Sequence, residues 1–473
     1  MEWQRIAWLL LMKVPLFGLG ISAKSQNVTA QKRVNMYYEV SKQEDKSKVT
    51  AYGTAGTTLL AYFGDTPCRM LYEFGDFWYA VHRGTFWQVN NAGVKVSKGT
   101  IGTTTGRISV ADNGTQIMFV DGSKGYIYNT LTDVFSEIVD VDFPLNPTYV
   151  TFLSRVFVAS FNNTGRFYIS DIDNGLAWNA LDFANAESSP DYLIAPFNNN
   201  GQLVLFGQKT VEFWGVTGAS DFPFGNIQGS AVEYGLAARF TVTKFGQGLM
   251  FLARNTAGEA KVMYLQGYQL QDVTGHEFAN VLNSYSNLAA STAFYYEQDG
   301  HPFYELNVGG FTWLYDGSTK CWTQLISFGI QRHLAECHTQ YLFKNLVSDY
   351  NTGNVYLLDK NAYSDNGMPI QRELIGRHLF DNLNDVFITE LQLDMETGVG
   401  LITGQGSDPQ IMLQVSKDGG HTFGSERWLS FGNIGQYLTR VIWRQLGTGY
   451  DFVFKIRITD PVKVVIIGAY ING

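Results

Sequence analysis

Short runs of alternating apolar and polar residues, each bounded by Gly, Asn-Gly or Asp-Gly, recur through the middle of the chain and predict β-hairpins. The first pair is Gly75-Asp-Phe-Trp-Tyr-Ala-Val-His-Arg-Gly84 followed by Thr85-Phe-Trp-Gln-Val89. The pattern returns at Gly114, where Ile117-Met-Phe-Val120 leads through Asp121-Gly122 to Tyr126-Ile-Tyr128, and near Leu153, where Val156-Phe-Val158 leads to Phe167-Tyr-Ile169. Further pairs are Leu203-Val-Leu-Phe206 with Val211-Glu-Phe-Trp214, the run 249–253 with Val262-Met-Tyr-Leu265, and Phe303-Tyr-Glu-Leu306 with Phe311-Thr-Trp-Leu-Tyr315.

Unit starts at 75, 114, 153, 201, 248 and 300 differ by 39, 39, 48, 47 and 52 residues, the length of a four-stranded propeller blade. The expectation is an all-β chain whose central part is a β-propeller of about six blades. A weaker unit, a strand at 341–343 with Val355-Tyr-Leu-Leu358, either closes the ring or leads out of it. A β-sandwich also alternates, but turn signals paired inside a unit of this length favour blades. Residues 275–288 are the best helix candidate.

From about Glu373 the aromatic repeat stops and longer alternating strands begin with Val386-Phe-Ile-Thr-Glu-Leu-Gln-Leu393. Ile411-Met-Leu-Gln-Val415, Val441-Ile-Trp443, Phe452-Val-Phe-Lys-Ile-Arg-Ile458 and the run 462–467 continue it as a separate β-sandwich. The expected division is an N-terminal arm over 1–70 associated with that sandwich, a propeller over 71–370 and a β-sandwich domain over 371–473.

Composition supports this reading. Of 473 residues, 45% are hydrophobic and 15% aromatic, enough for full cores, and 49 glycines punctuate the turns. The net charge of -9 lacks the cationic excess of a tight nucleic-acid binder and suits a conduit along which DNA slides. Cys68, Cys321 and Cys337 are too few for a disulfide framework, which points to a reducing compartment. Residues 6–12 imitate a short signal peptide, but Glu2 offsets Arg5, and Lys13 and Pro15 interrupt the apolar run. No segment reaches the length of a membrane-spanning helix.

Several motifs invite chemistry and are better read as structure. His333-Leu-Ala-Glu-Cys-His338 has no second Cys/His pair at metal-ligand spacing. Gly18-Leu-Gly20-Ile-Ser-Ala23 has the glycines of a dinucleotide loop, yet Pro15 sits where its buried strand belongs and no β-α alternation surrounds it. Asp171-Ile-Asp173-Asn-Gly175 fails as a calcium loop because Gly175 occupies a ligand position. Ser416-Lys-Asp-Gly-Gly-His-Thr-Phe423 resembles an Asp-box, whose Ser and Asp bind backbone in a tight turn. Trp443 between Arg440 and Arg444 is either the centre of an interface or, as the alternation with Val441 favours, part of a core strand. No catalytic, cofactor or metal residues are assigned.

Four stretches together resemble one family. Pro15-Leu-Phe-Gly-Leu-Gly20 through Arg33-Val-Asn-Met-Tyr-Tyr-Glu39 is similar to an opening arm with a loose Arg-x-x-Asn-x-Tyr pattern at Arg33, Asn35 and Tyr37 or Tyr38. Ala184-Asn-Ala-Glu-Ser-Ser-Pro-Asp191 resembles an Ala-Glu-Ser-x-x-Asp turn, and Val211-Glu-Phe-Trp214 with Thr217-Gly218 the strand and turn after it. Arg440-Val-Ile-Trp-Arg-Gln-Leu-Gly447 and Phe454-Lys-Ile-Arg-Ile458 resemble a closing sandwich. The family is the packaged-DNA stabilisation, or tail-hub nozzle, proteins of short-tailed bacteriophages; the departures are the 1–12 extension and the Asp-box.

The resemblance implies a non-enzymatic virion protein of the phage tail, assembled in the host cytoplasm. It implies a homohexamer below the portal-bound adaptor that extends the DNA channel, retains packaged DNA and meets the tail needle and tailspikes or tail fibres. No cofactor is implied, and DNA would pass without sequence-specific binding. The rival readings are a secreted or surface propeller that binds or hydrolyses glycans, and a cytoplasmic interaction scaffold.

Overall fold

The computed structural model describes residues 12–472 apart from 15, 19, 22–23, 43–45, 187–190, 220–221 and 383. The signal-like run before Met12, Pro15, part of the glycine-rich loop and residues 187–190 of the Ala184–Asp191 stretch lie outside the described residues. Two compact units emerge: Leu59–Gly310 with Leu334–Leu358, and Met1–Thr58 with Phe311–His333 and Asp359–Gly473.

In the first unit the paired runs form antiparallel hairpins that stack as blades of a propeller. Asn200-Gly201 and Asp299-Gly300 turn with positive φ at both residues (51° and 82°, 51° and 79°), the geometry that matches strand twist in two-residue hairpins. Four sheets have four strands each, opening with Cys68–Phe74, Ser109–Asp112, Pro147–Leu153 and Leu193–Asn199. A fifth is built on Gly248–Arg254 and Ala260–Gln266, and a sixth position holds the hairpin Thr292–Gln298 with His301–Val308.

The seventh place belongs to Ala335–Tyr341, Lys344–Asp349 and Asn354–Asp359, so the ring has seven members among the described residues where the periodicity counts six. This unit closes the ring: Cys337, Leu346 and Val355 share one apolar cluster with Cys68, Trp78 and Ala80 of the first sheet. Gly56–Tyr62 joins its outer side, and the Phe63 N–H donates to the Gly353 carbonyl at 2.8 Å. The strand expected at 341–343 is corrected here. Leu342 and Phe343 form a left-handed turn (φ 48° and 60°), and Phe343 is 97% exposed.

Aromatic and branched side chains fill the spaces between blades. Phe86 meets Phe119 at 4.8 Å between ring centroids, and Phe206 meets Phe251 at 4.9 Å. One α-helix occurs among the described residues, Gly275–Leu282, with Phe278 and Leu282 buried at the four-residue spacing of one helix face. It stops before the expected end because the Asn283 amide and Ser284 hydroxyl take the carbonyls of Ala279 (2.8 Å) and Val281 (2.6 Å).

The second unit is a two-sheet sandwich. One sheet runs Met36–Val40, Val49–Gly53, Val465–Asn472, Val386–Met395, Val441–Gly449, with Met12–Val14 also pairing with Val465–Asn472. The other contains, in order, Phe311–Asp316, Cys321–Leu325, Lys32–Val34, Arg372–Ile375, Val453–Ile458, Gln410–Ser416 and Arg427–Ser430. Alternate residues of both sheets, among them Leu391, Ile411, Trp443, Phe454 and Ile466, make the core.

Candidate functional site: the strand lock and charged groove of the sandwich

The opening-arm residues lock a three-residue strand into the middle of a sheet. Lys32–Val34 runs parallel to Cys321–Leu325 on one side and antiparallel to Arg372–Ile375 on the other. So short a strand makes few ladder bonds, and its side chains supply the rest. Arg33, 3% exposed, donates from Nε to Thr323 Oγ1 (3.2 Å), from Nη1 to the Gly18 carbonyl (2.6 Å) and from Nη2 to the Trp322 carbonyl (2.8 Å). Its guanidinium lies 4.3 Å from the ring centroid of Tyr38, whose hydroxyl pKa is raised by burial against the lowering pull of Arg33.

Asn35 follows in the left-handed region at φ 52°, a conformation Asn tolerates better than most residues. Its Nδ2 donates to the carbonyls of Ile326 and Gln371, both at 2.9 Å, and its Oδ1 accepts the Ile326 N–H at 3.0 Å. Gly53 is required nearby, since a Cβ there would stand 2.4 Å from Nε of the buried Arg372.

On the outer face of the same sheet lies a groove of about 570 Å³. The buried Glu373 carboxylate faces Arg457 (3.1 Å), Lys455 (3.5 Å) and Lys32 (4.0 Å), while Arg457 also meets Glu426 at 2.7 Å. Three cations against two carboxylates leave one surplus positive charge, with Phe328 58% exposed beside them. Paired charges of this kind can dock a complementary surface.

The remaining motifs take structural positions. In the Asp-box, Asp418 accepts the Ser416 hydroxyl at 2.6 Å, the Thr422 hydroxyl at 2.6 Å and the Thr422 N–H at 2.9 Å, and these bonds hold the Asp418 pKa well below the carboxylate range, while Ser416 Oγ accepts the Gly420 N–H at 2.8 Å. Asp173 sits in an exposed turn paired with Arg155. The Gly18 carbonyl serves Arg33, and no helix follows Gly20 among the described residues. Asp191 closes the turn before Val211–Val216 by accepting the N–H groups of Lys209 (2.6 Å) and Thr210 (3.2 Å), which ties those two stretches together.

Trp443 is 2% exposed and donates to the Arg427 carbonyl at 2.9 Å, so it is a core residue and its ring is closed to a partner. Arg440 bonds Gln392 (2.8 Å), and Arg444 pairs with Glu390 (3.4 Å). No three His, Cys, Asp or Glu side chains gather as a metal set among the described residues.

Cys337 is buried in the propeller, and His338 stacks on Phe294 at 5.2 Å and bonds Asn345 at 3.1 Å. Burial pushes the His338 pKa down to about 4 from 6.5, against the raising effect of the Asn345 bond. A lowered histidine pKa means the unfolded chain binds the proton more readily, so propeller stability should fall as pH drops from about 6.5 to about 4. The loss is expected to be about 3 kcal/mol, and His338→Gln should flatten that slope in urea melts; an unchanged slope would place the titration elsewhere.

Residues 12–363 match the family described as Bacteriophage P22 Gp10, beta-propeller, and residues 371–473 match Bacteriophage P22 Gp10, beta-sandwich. No curated protein matches the chain. Among solved structures it is similar to the extracellular domain of a one-component system, BT4673, from B. thetaiotaomicron, at 9% identity and TM-score 0.44 over 84% of this chain and 48% of that one. The chain thus spans about half of that neighbour's length. It is also similar to the β-propeller domain of Myceliophteria thermophila Cps50 (Swd1), at 11% identity and TM-score 0.43 over 64% of this chain and 98% of that one. The WD40 β-propeller domain of Doa1 is similar at 12% identity and TM-score 0.41, over 64% of this chain and 98% of that one. With both its propeller and its sandwich matched in order along nearly the whole sequence, the chain belongs to the bacteriophage P22 Gp10 family, the phage proteins that stabilise packaged DNA.

Proposed function

We propose that this protein is a non-enzymatic tail-hub subunit, six copies of which form a ring below the portal and its adaptor, extend the DNA channel and oppose the escape of packaged DNA. The ring also offers docking surface to the tail needle and to tailspikes or fibres, and it assembles in the host cytoplasm. The observation that carries this reading is that the family's two domains span the chain in order, while its resembling residues serve as locks of the fold: Arg33, Asn35 and Asp191 bind backbone, and Trp443 fills the core. Family-resembling residues that serve such structural ends suit a protein that works by holding a shape. A net charge of -9 agrees with a lining along which phosphates slide.

The test is the mass of the purified protein in solution, followed by incubation with portal–adaptor complexes and electron microscopy. A six-fold ring, free or formed on the portal, is the expected result. A protein that stays monomeric and leaves those complexes bare would overturn the proposal.

A further inference from the structure

The first strands of successive blades run side by side around the propeller axis. Bonds between them fix a common level: Ser109 Oγ accepts the Val150 N–H at 3.1 Å, the Ala293 N–H donates to the Phe240 carbonyl at 2.8 Å, and Thr292 Oγ1 donates to Glu336 Oε1 at 2.9 Å. Arg107, Tyr149, Arg239 and Phe240 stand within two residues of these bonds, on the second, third and fifth blades. The Tyr149 ring lies 6.1 Å from the Phe240 ring, and the Arg107 guanidinium 5.5 Å from the same ring centroid. The fifth blade adjoins neither the second nor the third, so these contacts reach across the axis.

The donors gathered there exceed the acceptors. Arg107 uses Nη1 on the Glu336 carbonyl (3.3 Å) and on Cys337 Sγ, and Arg239 uses Nε on the Ile194 carbonyl (3.2 Å). Arg107 Nη2, both Nη groups of Arg239 and the Tyr149 hydroxyl meet no acceptor among the described residues, and no carboxylate there pairs with either guanidinium. Both arginines are half-buried, and burial lowers the Arg239 pKa. Burial likewise pushes the Tyr149 hydroxyl up to about 12, against the lowering pull of both guanidiniums. Arg69 of the first blade is the contrast: it bonds the carbonyls of Arg83, Thr103, Thr105 and Gly106 and the Thr103 hydroxyl, and so serves the fold. Two half-buried cations without a counter-charge are unfavourable by themselves and favourable around an anion.

We propose that this axial cluster is a phosphate site, in which Arg107 and Arg239 bind the oxygens of a phosphate or terminal phosphoryl group and the Tyr149 hydroxyl donates to one of them. Charge selects the ligand class. Phosphate carries about two negative charges at neutral pH and answers both guanidiniums, whereas a carboxylate would leave one cation uncompensated. Shape agrees, because the planar fork of arginine matches adjacent phosphate oxygens and the tyrosine adds a third direction of approach. Free phosphate and the phosphoryl end of a nucleotide share this chemistry. The site belongs to one chain and needs no second copy.

The test titrates the full-length protein with inorganic phosphate, adenosine 5′-monophosphate and adenosine in separate calorimetric runs, with chloride holding the ionic strength constant. Phosphate should bind saturably with a Kd below about 1 mM. Arg239→Gln and Tyr149→Phe should each weaken that binding by about tenfold, since each removes a donor to a charged oxygen. Tyr149→Phe keeps the ring against Phe240, so its melting curve without phosphate should match the wild type, and it decides the matter if Arg239→Gln fails to fold. Binding of phosphate and nucleotide alike would identify the phosphoryl end of a larger ligand, and binding of phosphate alone would identify the free ion. No saturable binding up to about 10 mM would overturn the proposal. Phosphate binding unchanged in both variants, or adenosine binding as tightly as its monophosphate, would overturn it as well.

Discussion

Trp443→Ala should destabilise the sandwich by about 3–5 kcal/mol, the cost of removing a buried tryptophan and leaving a cavity. The side chain is 2% exposed, shares the core with Leu391, Ile411 and Phe454, and satisfies the Arg427 carbonyl through its indole N–H at 2.9 Å. Denaturant unfolding of the full chain reads the change. Trp428→Ala, at a site 57% exposed on the neighbouring strand, is the control and should cost less than about 1 kcal/mol. A small loss at Trp443 accompanied by failed assembly would revive the reading of this residue as an interface anchor.

Arg33→Met should cost about 3 kcal/mol or more. Methionine keeps an unbranched stem but removes three charge-assisted bonds, leaving Thr323 Oγ1 and the carbonyls of Gly18 and Trp322 to be satisfied otherwise. The contact with the Tyr38 ring goes with them. Arg33→Lys should recover only part of the loss, because a single ammonium cannot reproduce a planar fork aimed at three acceptors. Amide hydrogen exchange should then quicken in Lys32–Val34 and in its parallel neighbour Cys321–Leu325. Unchanged protection in both strands would mean that backbone pairing alone holds the lock.

The hairpins were legible because their signal is local. Alternation places Phe77–His82 and Thr85–Val89, Gln116–Val120 and Gly125–Asn129, and the sandwich strand Val386–Met395 within a residue or two of their ends. The seventh blade was weakly written. Its turn uses Leu342 and Phe343 with positive φ in place of glycine, so an aromatic residue that reads as strand serves as a turn. The Asp-box bonds follow from residue type and spacing alone. The groove around Glu373 had no such marker, because Lys32, Glu373, Lys455 and Arg457 come from distant parts of the chain.

What the sequence determined by itself is which segments become strands and where turns fall, since side-chain alternation and turn residues act over a few neighbours. Tertiary structure decided which strands pair. Arg33 and Thr323 meet across 290 residues, and a three-residue strand carries too little periodicity to announce its partners. That choice is made by the sum of core burial, ladder bonds and side-chain locks over the whole sheet, each term of which exists only once the distant segments have come together.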